Sequence, residues 1–174
     1  AAGRLGNSNL GVELLCANDD VNANLLAEKL NRLNDERKDI QNKVLESAID
    51  KINKKDISSK NVIVLADEGW HEGVIGIIAG RIKDRFHKPT VIIAINEDGI
   101  GKGSSRSVSG FDIGSAIIAA QQNEILITGG GHSMAAGLSL NKDKLELLDA
   151  FLNERFAKTD MTNPRLKDYE IEVV

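Results

Sequence analysis

The stretch NVIVLADEGWHEGVIGIIAGRIKDRFHKPTVIIAINEDG, residues 61–99, decides the fold. It opens on Val62-Ile63-Val64-Leu65-Ala66, a short and wholly apolar run of the kind a strand buried on both faces requires. Gly69 and Gly73 bracket a loop. Beyond it Val74, Ile75, Ile77, Ile78, Ile82 and Phe86 make a helix that is nearly all core, and Gly76 and Gly80, four apart, let that helix lie close on a sheet. Pro89 stops the helix, Thr90 to Ile95 is a second buried strand, and Asn96-Glu97-Asp98-Gly99 is a turn.

Working outward toward the C-terminus, Ile100 to Val108 reads as a strand rich in Gly and Ser, and Phe111 to Gln121 as a helix. Ile125 to Thr128 is a brief strand or strand-like entry, Gly129-Gly130-Gly131 a flexible loop, and Ala136 to Leu140 a further strand. Lys142 to Phe156 closes the unit as a helix with Leu145, Leu148, Phe151 and Leu152 inward. The alternation predicts an α/β domain over residues 60–158. The tail from Lys158 to Val174 carries Pro164 and ends in an alternating strand without a partner, which is expected to begin a following domain.

Toward the N-terminus, Val21, Leu25, Leu30, Leu33, Ile40, Val44, Ala48 and Ile52 recur mostly at three- and four-residue steps, predicting one long amphipathic helix over Asp19 to Ile52. Asn18-Asp19-Asp20 supplies a cap and first-turn acids. Arg37 interrupts the apolar stripe. A dimeric coiled coil is therefore the weaker reading, and a connector between two domains the stronger.

Composition limits the chemistry. A chain of 174 residues supports one good core, and no run approaches the roughly 18 apolar residues of a membrane span. The lone Cys16 forms no internal disulfide and sits in no metal spacing, so a reducing, cytoplasmic location is expected. The chain opens at Ala1 without methionine, which suggests a piece of a longer polypeptide. A net charge of -4 argues against coating nucleic acid by bulk attraction, and 3% aromatic residues give few platforms for stacking bases. Any nucleic-acid contact must be local, with phosphates a better target than bases.

Three segments carry candidate chemistry. In GIGKGSSRS, residues 99–107, bare backbone permits close approach of a ligand, hydroxyls can donate, and Lys102 and Arg106 add charge; Arg offers a fork that matches phosphate oxygens. The spacing is neither that of a P-loop nor that of a dinucleotide-binding loop, and a glycine-rich edge strand or hairpin is the structural alternative. In TGGGHS, residues 128–133, three glycines suit an anion nest, with His132 at the rim as a donor to phosphate, an acid or base, a metal ligand, or a solvated or structural residue. In Gly69-Trp70-His71-Glu72-Gly73, either the His–Glu pair does chemistry, or Trp70 plugs a core edge and His71 caps the start of the helix. The histidines His71, His87 and His132 are scattered and no Asp-rich motif accompanies them, so no two-metal cluster is expected within the chain.

The strings GWHEGVIGIIAGRIKDRF, GKGSSRS and TGGGHSMAAGLSL together resemble the DHHA1 region of RecJ-type exonucleases, within the DHH phosphoesterase superfamily. The likeness covers nearly the whole chain. It implies an α/β fold with a long N-terminal connector helix followed by a mixed β-sheet flanked by helices. The implied divisions are residues 1–17 as the end of a DHH catalytic domain, 18–57 as connector, 58–158 as DHHA1 domain and 159–174 as the start of an OB-fold. The implied activity is hydrolysis of single-stranded DNA from its 5′ end in DNA repair and recombination. Mn²⁺ or Mg²⁺ would be held by the DHH domain upstream of Ala1, with none bound by this chain, which would be inactive alone.

Carried over by motif, Arg4, Arg81, Lys102, Gly103, Ser104, Arg106, Gly129, Gly130, Gly131 and His132 are the implied phosphate-binding set. His132 is in addition the implied catalytic residue, helping to position the strand and offset developing charge. Implied partners are single-stranded DNA, the DHH domain, and a single-strand-binding protein or helicase. The competing readings are an oligonucleotide or dinucleotide phosphodiesterase and a non-enzymatic module that pairs through the long helix.

Overall fold

The structure is a computed structural model and describes residue 3, residues 9–54 and residues 57–159. Helix α1 (Leu10–Leu15) folds against α2 (Asp20–Lys54), a helix of 35 residues and thus about 52 Å long. Asp19 caps α2 by accepting the Asn22 N–H at 2.8 Å, as the run of acids before it predicts. A 3₁₀ turn (Ile57–Ser59) leads to β1 (Ile63–Asp67), α3 (Ile75–Phe86), β2 (Thr90–Ile95), β3 (Ile100–Arg106), α4 (Ile113–Gln122), β4 (Thr128–His132) and β5 (Ala135–Asn141). A second 3₁₀ turn (Lys142–Lys144) precedes α5 (Leu145–Ala157). The alternating tail beyond Thr159 lies outside the described residues.

The five strands form one mixed sheet in the order β1-β2-β3-β5-β4. β1 and β2 are parallel, joined through α3, and every other pairing is antiparallel. All six β2 residues are buried because helices cover both its faces. On one face Val91, Ile93 and Ile95 meet α4 and α5 through Phe111, Ile117, Leu148 and Leu152. On the other, Ile63, Leu65, Ile92 and Ala94 meet α3 and the C-terminal part of α2 through Ile75, Ile78, Ile82, Ala48 and Ile52.

The second helical layer stops at β3. On that face Gly76 allows α3 to close on β3: a Cβ there would stand 3.1 Å from Ser104 Oγ and 3.3 Å from an Arg106 guanidinium nitrogen. Gly80 has open space around it, so only one of the two helix glycines serves close packing. Beyond β3, none of helices α1 to α5 covers strands β5 and β4 on this face.

Two sequence expectations are corrected. Gly129-Gly130-Gly131 is not a loop but the centre of edge strand β4, paired with Leu138, Gly137 and Ala136 of β5. None of the three has positive φ, so they make no nest of converging amides. Along α2, the buried residues are Gln41, Val44, Ala48 and Ile52, whereas Val21 and Leu25 are exposed. The stripe is continuous in sequence, but only its last third meets the sheet. Arg37 is satisfied within the helix, donating to Asn34 Oδ1 and to Gln41 Oε1 at 2.9 Å.

Candidate nucleic-acid interface

Pairing register brings the site together. Lys102, Ser104 and Arg106 alternate on β3 and so point to one face. Their partners on β5 are Ser139, Gly137 and Ala135, and the partners of those on β4 are Thr128, Gly130 and His132. Cross-strand partners share a face, so three transverse rows run over the open half of the sheet. The rows are Lys102–Ser139–Thr128, Ser104–Gly137–Gly130 and Arg106–Ala135–His132.

This face floors a groove of about 840 Å³ whose far wall is the loop before α3. Lys102, Ser104, Arg106, Thr128 and Ser139 supply its polar floor, and His71, Glu72, Gly73 and Gly76 its wall. Arg106 is half-buried and donates to Ser104 Oγ at 3.2 Å and to the Ser105 carbonyl at 2.7 Å. That contact presets the guanidinium in the groove. Lys102 Nζ stands 2.7 Å from Glu72 Oε2. Thr128 Oγ1 and Ser139 Oγ share a hydrogen bond of 2.7 Å.

The wall is rigid for reasons written in its sequence. Trp70 is buried and donates Nε1–H to Ser47 Oγ at 3.2 Å, while Lys51 reaches over its ring and pairs with Asp67 at 2.8 Å. His71 Nδ1 accepts the Gly73 N–H at 3.0 Å. Trp70 thus plugs the core edge and His71 braces the start of α3, as the structural alternative has it, although His71 also lines the groove.

His132 stands in the same row as Arg106, two strand spacings or about 10 Å away, exposed and outside the residues that line the groove. Its turn, Ser133-Met134, is pinned from outside: Ile113 N–H donates to the Ser133 carbonyl at 3.1 Å and Ser107 N–H to the Met134 carbonyl at 2.9 Å. Arg81 is exposed on α3 and is not among the lining residues. Arg4 lies outside the described residues, although its neighbour Gly3 lines the groove.

The glycines and hydroxyls divide by face. A Cβ on Gly103 would stand 2.7 Å from Leu138, and one on Gly129 would stand 2.7 Å from Ile117, so packing demands glycine at both. Gly131 is crowded by Ala135 and Ala136. Gly130 has open space, and Gly137, on the groove floor, has nothing nearer than 4.0 Å. Of the hydroxyls in the Gly-Ser segment, Ser105 and Ser107 are buried on backbone carbonyls of Ala136 and Phe111, leaving Ser104 to face the groove. Thr128, Ser139 and Gly137 escaped sequence reasoning, because only the pairing register reveals that they join the site; Gly76, expected to pack close on the sheet, lines the groove as well.

Two cations and three hydroxyls thus gather on one half of a mixed sheet in an α/β domain, a surface whose chemistry suits an anion. The family model described as the DHHA1 domain matches residues 59–158, and the chain belongs to that family. It is 36% identical over 155 residues to the single-stranded-DNA-specific exonuclease RecJ of Bacillus subtilis, a match covering 88% of this chain and 19% of that protein. The structure resembles RecJ of Thermus thermophilus in complex with Mn²⁺ (TM-score 0.80, 29% identity, 91% of this chain and 23% of that one). It resembles the Mg²⁺ complex of RecJ from the same organism similarly (TM-score 0.77, 27% identity, 91% and 24%). The chain therefore spans about a fifth of the length of the Bacillus relative.

Proposed function

We propose that the groove holds the phosphodiester backbone of single-stranded DNA, and that the chain is the DHHA1 part of an exonuclease degrading such strands from the 5′ end. The observation that carries this reading is the alternation of Lys102, Ser104 and Arg106 along one face of β3, over a floor left bare by Gly137. Arg106 supplies a fork for two phosphate oxygens, Ser104 a neutral donor, and Lys102 a point charge. His132, at the far end of the Arg106 row, would meet the strand as it leaves the groove and donate to the phosphate there. Among the described residues lining the groove none is Phe, Tyr or Trp, which suits a grip on the backbone rather than on bases. A local cluster also fits a chain whose net charge is -4.

Among the described residues no group of three or more His, Cys, Asp or Glu could hold a metal ion. In this reading the Mn²⁺ or Mg²⁺ ligands belong to a DHH domain ending within residues 1–17, and the chain alone does not hydrolyse DNA. Residues 18–57 then connect to the DHHA1 domain over 58–158, and 159–174 open an OB-fold. The setting is cytoplasmic DNA repair and recombination, with a single-strand-binding protein or helicase as a further partner. No described helix is long and apolar enough to cross a membrane.

The test is hydrolysis of 5′-labelled single strands by the full-length polypeptide carrying Arg106→Ala. Loss of a charge-assisted contact should lower kcat/KM about 10- to 100-fold. Near-normal kcat and KM would remove Arg106 from the grip, and preference for dinucleotides over long strands would replace the exonuclease reading with a phosphodiesterase one.

A further inference from the structure

Among the described residues lining the groove there is one carboxylate, and it faces a cation. Glu72 Oε2 is 2.7 Å from Lys102 Nζ, with the two side chains 57% and 65% exposed. An ion pair this exposed contributes little to folding, because water screens both charges and two long side chains must be held in place. The other groove cation is treated differently: Arg106 donates only to neutral oxygens, those of Ser104 and Ser105. The groove thus presents one cation facing neutral acceptors and one already holding an anion.

Resting on the reading of the groove as a phosphodiester site, we infer that Glu72 is a resident competitor for the strand at Lys102. Its carboxylate holds the ammonium until a phosphate arrives, then gives it up. Exchanging a carboxylate oxygen for a phosphate oxygen is nearly balanced at an exposed site, so Lys102 changes partners at little cost. Among the described residues Arg106 has no such competitor, which makes its grip the firm one and that of Lys102 the yielding one. A strand that must move on after each cleavage needs both kinds.

The experiment is fluorescence anisotropy of a fluorescein-labelled oligo(dT) with the full-length polypeptide in EDTA, across a salt series. Glu72→Gln should bind about three- to tenfold tighter at low salt and steepen the salt dependence by about one unit of slope. In a Lys102→Met background the same substitution should bring no gain. A melting temperature for Glu72→Gln equal to the parent's ties the gain to binding. Two results would overturn the competitor role while Arg106→Ala still weakens binding: no tightening from Glu72→Gln, or equal tightening with and without Lys102. Unchanged binding by Arg106→Ala would instead sink the groove reading, and this inference with it.

Discussion

Gly103 and Gly137 sit one register step apart on adjacent strands, yet they face opposite surroundings. A methyl group on Gly103 would come 2.7 Å from Leu138 and 3.1 Å from Ile93, whereas one on Gly137 would enter open groove. Gly103→Ala should therefore cost about 1–3 kcal/mol in chemical denaturation. Gly137→Ala should stay within about 0.5 kcal/mol of the parent while weakening oligo(dT) binding. Asp67 makes a second test at this scale. Burial raises its carboxyl, but the bonds from Lys51 and the Gly69 N–H outweigh burial and leave its pKa below the ordinary value. A lowered folded pKa means that the stabilisation is fully present above the unfolded value of about 3.9 and is lost as pH falls through the folded one. Asp67→Asn should thus be about 0.5–1 kcal/mol less stable than the parent at neutral pH, with the gap closing in urea titrations run progressively below about pH 4.

At the scale of elements, the N-terminus of α4 organises the rim of the site. Asp112 accepts from Ser115 N–H and Ser115 Oγ, both at 2.9 Å, and the backbone bond is foremost in lowering its pKa. Gly114 in the same turn lets the helix meet the His132 carbonyl, where a Cβ would stand 2.7 Å away. Asp112→Ala should cost about 1 kcal/mol and speed hydrogen exchange in the Ser133-Met134 turn that α4 pins, readable by mass spectrometry. The elements differ in how plainly the chain declares them. β2 is written as six residues that are all buried, and the sequence boundaries match the observed ones. β4 is written as Thr-Gly-Gly-Gly-His, which has no apolar alternation, so its strand character comes wholly from pairing with β5. Site residues follow the same divide. Lys102, Ser104 and Arg106 were legible because they lie close together in sequence, while Thr128, Gly137 and Ser139 join them only through a register that local pattern does not encode.

Over the whole molecule, among the described residues α2 is seated on the sheet at its C-terminal end, while its N-terminal part carries α1. Ala48 is fully buried between α2 and the sheet, while Val21 and Leu25 are 72% and 60% exposed. Ala48→Leu should overpack that seam and cost about 1–3 kcal/mol, and Val21→Ser with Leu25→Ser should leave the melting midpoint nearly unchanged, both measurable by thermal unfolding. The anchored part, from Gln41 to Ile52, is about three turns long, and about six turns run beyond it to Asp20. A rod fixed this way is a lever with a short arm and a long one. A tilt of about 5° at the seam swings the Asp20 end by roughly 3 Å, so a change of a single methyl group beside Ala48 arrives as an ångström-scale displacement of whatever is joined there.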